Sequence, residues 1–133
     1  MQNRQAWLEA FLARHGGVAG TVHVRGGEQL ELEAAANIPE PVRALVRQVP
    51  RGKGMAGLAW ERGVPVQTCN LQSDATGAVR PGARAVAAQA AAALPVFDAA
   101  GGLRAVVGIA FAGEREIESA ELEQLLRSAA ELP

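Results

Sequence analysis

One cysteine, Cys69, is all that the chain offers to sulfur chemistry. A single thiol excludes an internal disulfide and any zinc site built on several cysteines, and it suits a reducing compartment. Lysine is as scarce. Lys53 is the only one, set against many arginines and a great excess of alanine, a bias that reads as a GC-rich coding sequence rather than as function. Neither sign of charge dominates: 13 basic and 14 acidic residues leave a formal net charge of −1. No global field therefore directs the chain to nucleic acid or to an anionic membrane. No apolar run approaches the ~20 residues of a membrane helix. Met1-Gln2-Asn3-Arg4 lacks the apolar stretch of a signal peptide, so the expected location is cytoplasmic. Two histidines, His15 and His23, far apart in sequence and far from Cys69, are too few for a metal site, and none is predicted.

What remains is an apolar chain of domain size. Its 133 residues are 49% hydrophobic, enough for one core without staples, and no linker, repeat or second domain is read along 1–133. Residues 4–15 carry Trp7, Leu8, Phe11 and Leu12 at helical spacing and stop at Gly16-Gly17. A hairpin follows, with its turn near Gly26-Gly27. If Val22 and Val24 are to share a face with Leu30 and Leu32, the loop must hold an odd number of residues. A three- or five-residue loop is predicted, with His23 across from Glu31. Val42, Leu45, Val46 and Val49 then recur at helical spacing up to Pro50. Residues 51–63 read as a glycine loop feeding a short helix that Gly63 ends. Val64–Thr68 reads as a short strand whose Pro65 suggests an edge or a strand start, and 69–83 as a loop rich in breakers. A short helix over 83–88 precedes a strand from about 90 to 97, a turn at 98–102, and a strand over 103–112 that is apolar on both faces. The chain closes on a helix over 117–132, with Ile117, Leu122, Leu125, Leu126, Ala129 and Leu132 inward.

This order predicts an α/β (α+β) fold: a central antiparallel sheet, terminal helices packed on one face, short helices and loops over the other. The segments VPRGKGMAGLAWERGVPVQTCNLQSD and ALPVFDAAGGLRAVVGIAF carry a further signal. They run from a glycine loop and short helix through a Gly-x-Pro-Val step to a variable loop, and close on a hairpin in which Gly101, Val106, Gly108 and Phe111 stand in the spacing G-x-x-x-x-V-x-G-x-x-F. The pattern resembles the GAF domain family over nearly all of residues 4–131. The resemblance implies a sensory or regulatory domain that holds a small molecule between the sheet and the loops on one face. It also implies a homodimer through the terminal helices 4–15 and 117–132. It does not identify a cofactor.

One GAF branch is enzymatic, the free methionine-R-sulfoxide reductases, and GKGMAG is similar to its GKG-x-C-G segment. That chemistry needs a thiolate and a resolving thiol. Ala56 stands at the matching cysteine, the stretch from Pro81 to Val86 has none, and the acidic pair of the family falls at Ala110 and Ala112. The expectation is a domain that is not an enzyme. The alternatives are a degenerate module serving only as a dimerisation scaffold, and a divergent thiol reductase using Cys69.

The candidate ligand residues follow from that reading. Cys69, between strand and loop, reads as a small buried hydrophobe, with covalent attachment, haem ligation or redox sensing as the functional alternatives. Gly52-Lys53-Gly54 reads as backbone geometry with a solvated lysine rather than a P-loop. Asp74, Arg80 and Arg84 flank the variable loop, where arginines clamp carboxylates or phosphates. Trp60 is the aromatic candidate for a pocket wall, with core packing as its alternative. The small-residue face Val106, Gly108, Ala110 and Ala112 is expected to floor any pocket.

Overall fold

Asn3 opens the first helix. Its side-chain oxygen accepts from the Ala6 N–H at 2.7 Å, and Gly16, at φ 73°, closes it, so α1 spans Arg4–His15. The computed structural model describes residues 3–71 and 88–133. The loop and helix expected over most of 69–88, with Asp74, Arg80 and Arg84, lie outside the described residues. After α1 come β1 (Ala19–Gly26), β2 (Gln29–Ala36), α2 (Glu40–Leu45), β3 (Gln48–Pro50), α3 (Gly54–Arg62) and β4 (Val66–Thr68). β5 (Ala91–Phe97), β6 (Leu103–Ala110) and α4 (Ser119–Ala129) complete the described elements.

The six described strands form one antiparallel sheet in the order β3-β2-β1-β6-β5-β4. α1 and α4 pack on one face. There Leu8, Phe11, Leu125 and Ala129 meet Val22, Leu94, Val107 and Ile109 in the largest core cluster. α3 lies over the other face with Trp60 and Ala59 against Leu30, Val49, Ala93 and Val106. The expected layering is thus the observed one.

The hairpin corrects the expected register. Gly26 pairs with Gln29, so the loop is two residues, Gly27-Glu28, with φ 67° at Gly27. The odd residue sits inside β2 instead. Val22 pairs with Ala34 and His23 with Leu32, which makes Glu33 the extra residue of a bulge. The bulge turns β2 over. Ala34 and Ala36 join the α1 side, whereas Leu30 and Leu32 face α2 and α3. His23 consequently has no ladder partner in Glu31, which lies opposite Val24.

The segment 37–50 is a second correction. Only Glu40–Leu45 is helical, and Leu45 is exposed. Asn37 breaks the entry with φ 57°, held by its side-chain amide donating to the Val18 carbonyl at 2.8 Å. Beyond α2, Val49 leaves the helical row and pairs with Leu30 as the sheet adds an edge strand. Ladder bonds and burial of Val49 outweigh the local spacing. At the end of α1, burial first and then Arg14 lower the pKa of His15, against a raising effect of Glu121.

Candidate functional site

Alternation along three adjacent strands builds the floor of a cavity. On the face away from α1 and α4 the pairings place Ala19, Ala110 and Ala91 in one row, and Thr21, Gly108 and Ala93 in the next. His23 and Val106 begin a third. Side chains this small leave space that larger ones fill on the opposite face. Gly108 leaves room for its neighbour: a Cβ there would stand 2.7 Å from Thr21 Oγ1, which would have to turn away.

The walls come from α2 and α3. Ile38, Val42 and Val46 line one side, and Lys53, Met55 and Ala56 at the start of α3 line another. Gly52 and Gly54, at φ 84° and 66°, give the backbone a course that favours glycine on both sides of Lys53. Gly57 holds α3 close to β3, since a Cβ there would lie 2.5 Å from the Pro50 carbonyl. The cavity has a volume of about 400 Å³ and its lining is overwhelmingly apolar.

His23 is the polar exception deep in this wall. It is 3% exposed, and its Nε2–H donates to the Val46 carbonyl at 2.8 Å. That carbonyl follows the last turn of α2, where helix carbonyls lack intrahelical donors. The acceptor fixes the tautomer, because a carbonyl oxygen cannot donate. Burial lowers the His23 pKa, against a smaller raising effect of the Val46 hydrogen bond, so the ring is held neutral. Its Nδ1 is buried with no hydrogen-bond partner.

Val106, Gly108 and Ala110, expected as the floor, are in the cavity wall, and Ala112 lies past the end of β6, exposed. Ala56, at the motif-cysteine position, also lines it. Trp60 is buried in the cluster beneath α3, with Arg25 and Arg51 guanidinium carbons 5.1 and 5.7 Å from its ring centroid. It is not among the described cavity residues, so of its two expected roles the structure gives it core packing. Cys69 is exposed, contrary to the buried hydrophobe expected, because the edge strand β4 ends at Thr68 and releases the chain outward. Among the described residues no group of three or more His, Cys, Asp or Glu is placed to hold a metal. The expectations from sequence missed His23 and the α2 residues. The signal was in β1, where the polar Thr21 and His23 share one face and alternate with the aliphatic Val22 and Val24.

The topology of this sheet, with its helices on both faces, recurs in solved structures. The GAF domain of an Acinetobacter phosphoenolpyruvate-protein phosphotransferase matches with a TM-score of 0.77 at 13% identity, over 97% of this chain and 76% of that one. The fold is that of a GAF domain. A type II free methionine-R-sulfoxide reductase from Thermoplasma acidophilum matches with a TM-score of 0.72 at 19% identity, over 96% and 84% of the two chains. The second GAF domain of DevS from Mycobacterium smegmatis gives 0.68 at 18% identity, over 95% and 84%. Identities this low establish a shared GAF fold and nothing finer. No family model and no curated protein matches the chain. Among the described residues no helix is long and apolar enough to cross a membrane.

Proposed function

We propose that this GAF-fold chain is a cytoplasmic sensory or regulatory domain that binds a small molecule between the sheet and α2 and α3 and does not transform it. The observation that carries the reading is the cavity of about 400 Å³, walled by apolar side chains with few polar groups. Cavities of this size and lining are the usual form of small-molecule sites. Reductase chemistry would need a thiolate at the substrate. The described lining contains no cysteine, aspartate or glutamate, and the matching positions are Ala56 and Ala110. Cys69, the one cysteine of the chain, is not among the described residues of the wall.

A homodimer through α1 and α4, alone or as a scaffold, finds less support. The exposed large hydrophobics among the described residues are Val18, Leu45, Val64 and Phe97, none of them on either helix. The outward residues of α1 and α4 are instead of the kind of Gln5, Glu9, Glu123 and Arg127.

Native mass spectrometry of the purified protein, without added ligand, tests the reading. Extra mass that disappears in Ala110→Leu supports it. Adduct-free protein whose melting temperature no apolar small molecule raises would refute it.

A further inference from the structure

Thr21 stands in the cavity floor with a hydroxyl that no described residue engages. The residue is paired on both sides, with Ala35 in β2 and Gly108 in β6. It is half-buried, and the surface it keeps opens on the cavity it lines. Its Oγ1 leans across the floor: a Cβ added to Gly108 would stand 2.7 Å from that oxygen and 4.0 Å from the Thr21 Cβ. Gly108 alternates with Val107 and Ile109, which face α1 and α4, so its missing Cβ would point into the cavity. The hydroxyl therefore lies on the cavity side, in the space that glycine leaves. The unpartnered side-chain atoms sealed from solvent among the described residues are Arg4 Nε, His15 Nε2 and His23 Nδ1, and Thr21 Oγ1 is not one of them. A ligand in the cavity can reach it. The other polar side chains of the described lining do not compete for that ligand. His23 is shut in and hydrogen-bonded to the Val46 carbonyl, and Lys53 stands exposed at the start of α3. All other described lining residues are alanine, glycine, valine, leucine, isoleucine or methionine.

We infer that the cavity takes an uncharged, largely apolar molecule bearing one hydroxyl or carbonyl oxygen, which the Thr21 hydroxyl holds at the floor. The inference rests on the small-molecule reading and names the chemistry of its ligand. A hydroxyl donates and accepts, and it gives no counter-charge to an ion. An apolar body laid over it leaves it dry and unbonded, and a ligand oxygen beside it restores the lost hydrogen bond. Burial of the apolar body supplies the affinity. Thr21 sets the orientation and decides between molecules of the same shape. Gly108 is the positioning residue, because its lack of a Cβ lets the hydroxyl lie on the floor.

The probes are β-naphthol and β-methylnaphthalene, which share a body and differ in a hydroxyl against a methyl of similar size. Calorimetric titration of each into the wild type and into Thr21→Val closes a cycle. Valine keeps the branched shape that suits a strand, so a change of shape alone acts on both probes and cancels in their ratio. The affinity of β-naphthol relative to β-methylnaphthalene is expected to fall about tenfold in Thr21→Val, the factor one hydrogen bond supplies. Thr21→Ser keeps the hydroxyl and restores most of that ratio. Gly108→Ala keeps Thr21 but turns its oxygen away, and lowers the ratio as Thr21→Val does. An unchanged ratio in Thr21→Val, or no recovery in Thr21→Ser, overturns the role of Thr21 while leaving a ligand cavity. Tighter binding of β-naphthoate than of β-naphthol overturns the uncharged class. Failure of all three molecules to bind at their solubility limits overturns the cavity reading itself.

Discussion

The two faces of the sheet are made by the same strands and differ in almost everything else. Along β6, Ala105, Val107 and Ile109 point to α1 and α4, and Val106, Gly108 and Ala110 point to α2 and α3. Along β5, Leu94 and Val96 oppose Ala91 and Ala93 in the same way. The helix face is filled: Leu8, Leu94, Ile109 and Leu125 are all but completely buried there. On the other face the described residues leave a cavity at the centre. Both faces are apolar, so hydrophobicity does not separate them. Side-chain volume does, and the face with too little of it is the one that has room for a ligand.

Truncation on the filled face should do the greatest damage. Leu125→Ala removes side-chain atoms from a fully buried site and is expected to cost about 2–5 kcal/mol in urea unfolding. A loss below about 1 kcal/mol would mean that the α4 face is not the close-packed one. Next in size is a paired glycine test. Gly20→Ala drives a Cβ to 2.7 Å from the Gly108 carbonyl and into Leu12 and Leu8, against 2.7 Å from only the Thr21 hydroxyl for Gly108→Ala. Overpacking of about 1–3 kcal/mol is expected for the first, and less for the second because Thr21 can rotate. Equal costs would erase the contrast between the faces.

Acid is expected to weaken the protein through His23. Burial holds its pKa below the ordinary 6.5, so the unfolded chain takes up the proton first. The stability this contributes is complete above pH 6.5 and is lost as pH falls from there through the lowered folded value. His15, whose pKa is also lowered, adds a share with the same sign. Melting temperatures from pH 7.5 down to about 5 should fall less in His23→Phe than in the wild type; parallel curves would place the histidine in water. The mildest stability effects are expected where the volume is missing or the side chain is outside. Ala110→Val should change stability by less than about 1 kcal/mol while reducing any extra mass retained in native mass spectra. Cys69→Ser, at an exposed position, should stay within about 0.5 kcal/mol and leave that retained mass unchanged; its loss there would move the site to the edge strand.

Much of this architecture was legible because it rests on local rules. Residues 4–15 form a helix since Trp7, Leu8, Phe11 and Leu12 repeat with its period and Gly16 can take the left-handed turn. The two apolar faces of 103–112 implied a central strand, and β6 pairs on both sides. The small-residue floor was legible for the same reason, because alternation needs only neighbours. The hairpin misled because its parity is a sum over the whole ladder. A bulge at Glu33 corrects it at a distance from the turn. Residues 46–50 misled because Val49 fits a helical row equally well until an edge with free ladder groups lies beside it.

The sequence by itself determined the elements, their order and the unequal volumes on the two faces of the central strands, since periodicity and side-chain size are properties of consecutive residues. Tertiary structure decided what the open face became. Only when α2 and α3 fold over the sheet do Ile38, Val42 and Val46 stand with Met55 and Ala56 around one cavity. The tautomer of His23 depends on a carbonyl 23 residues away. No local rule places that oxygen against that ring. The bulge, the sheet edge and the end of α2 place it together, and burial makes the remaining nitrogen matter.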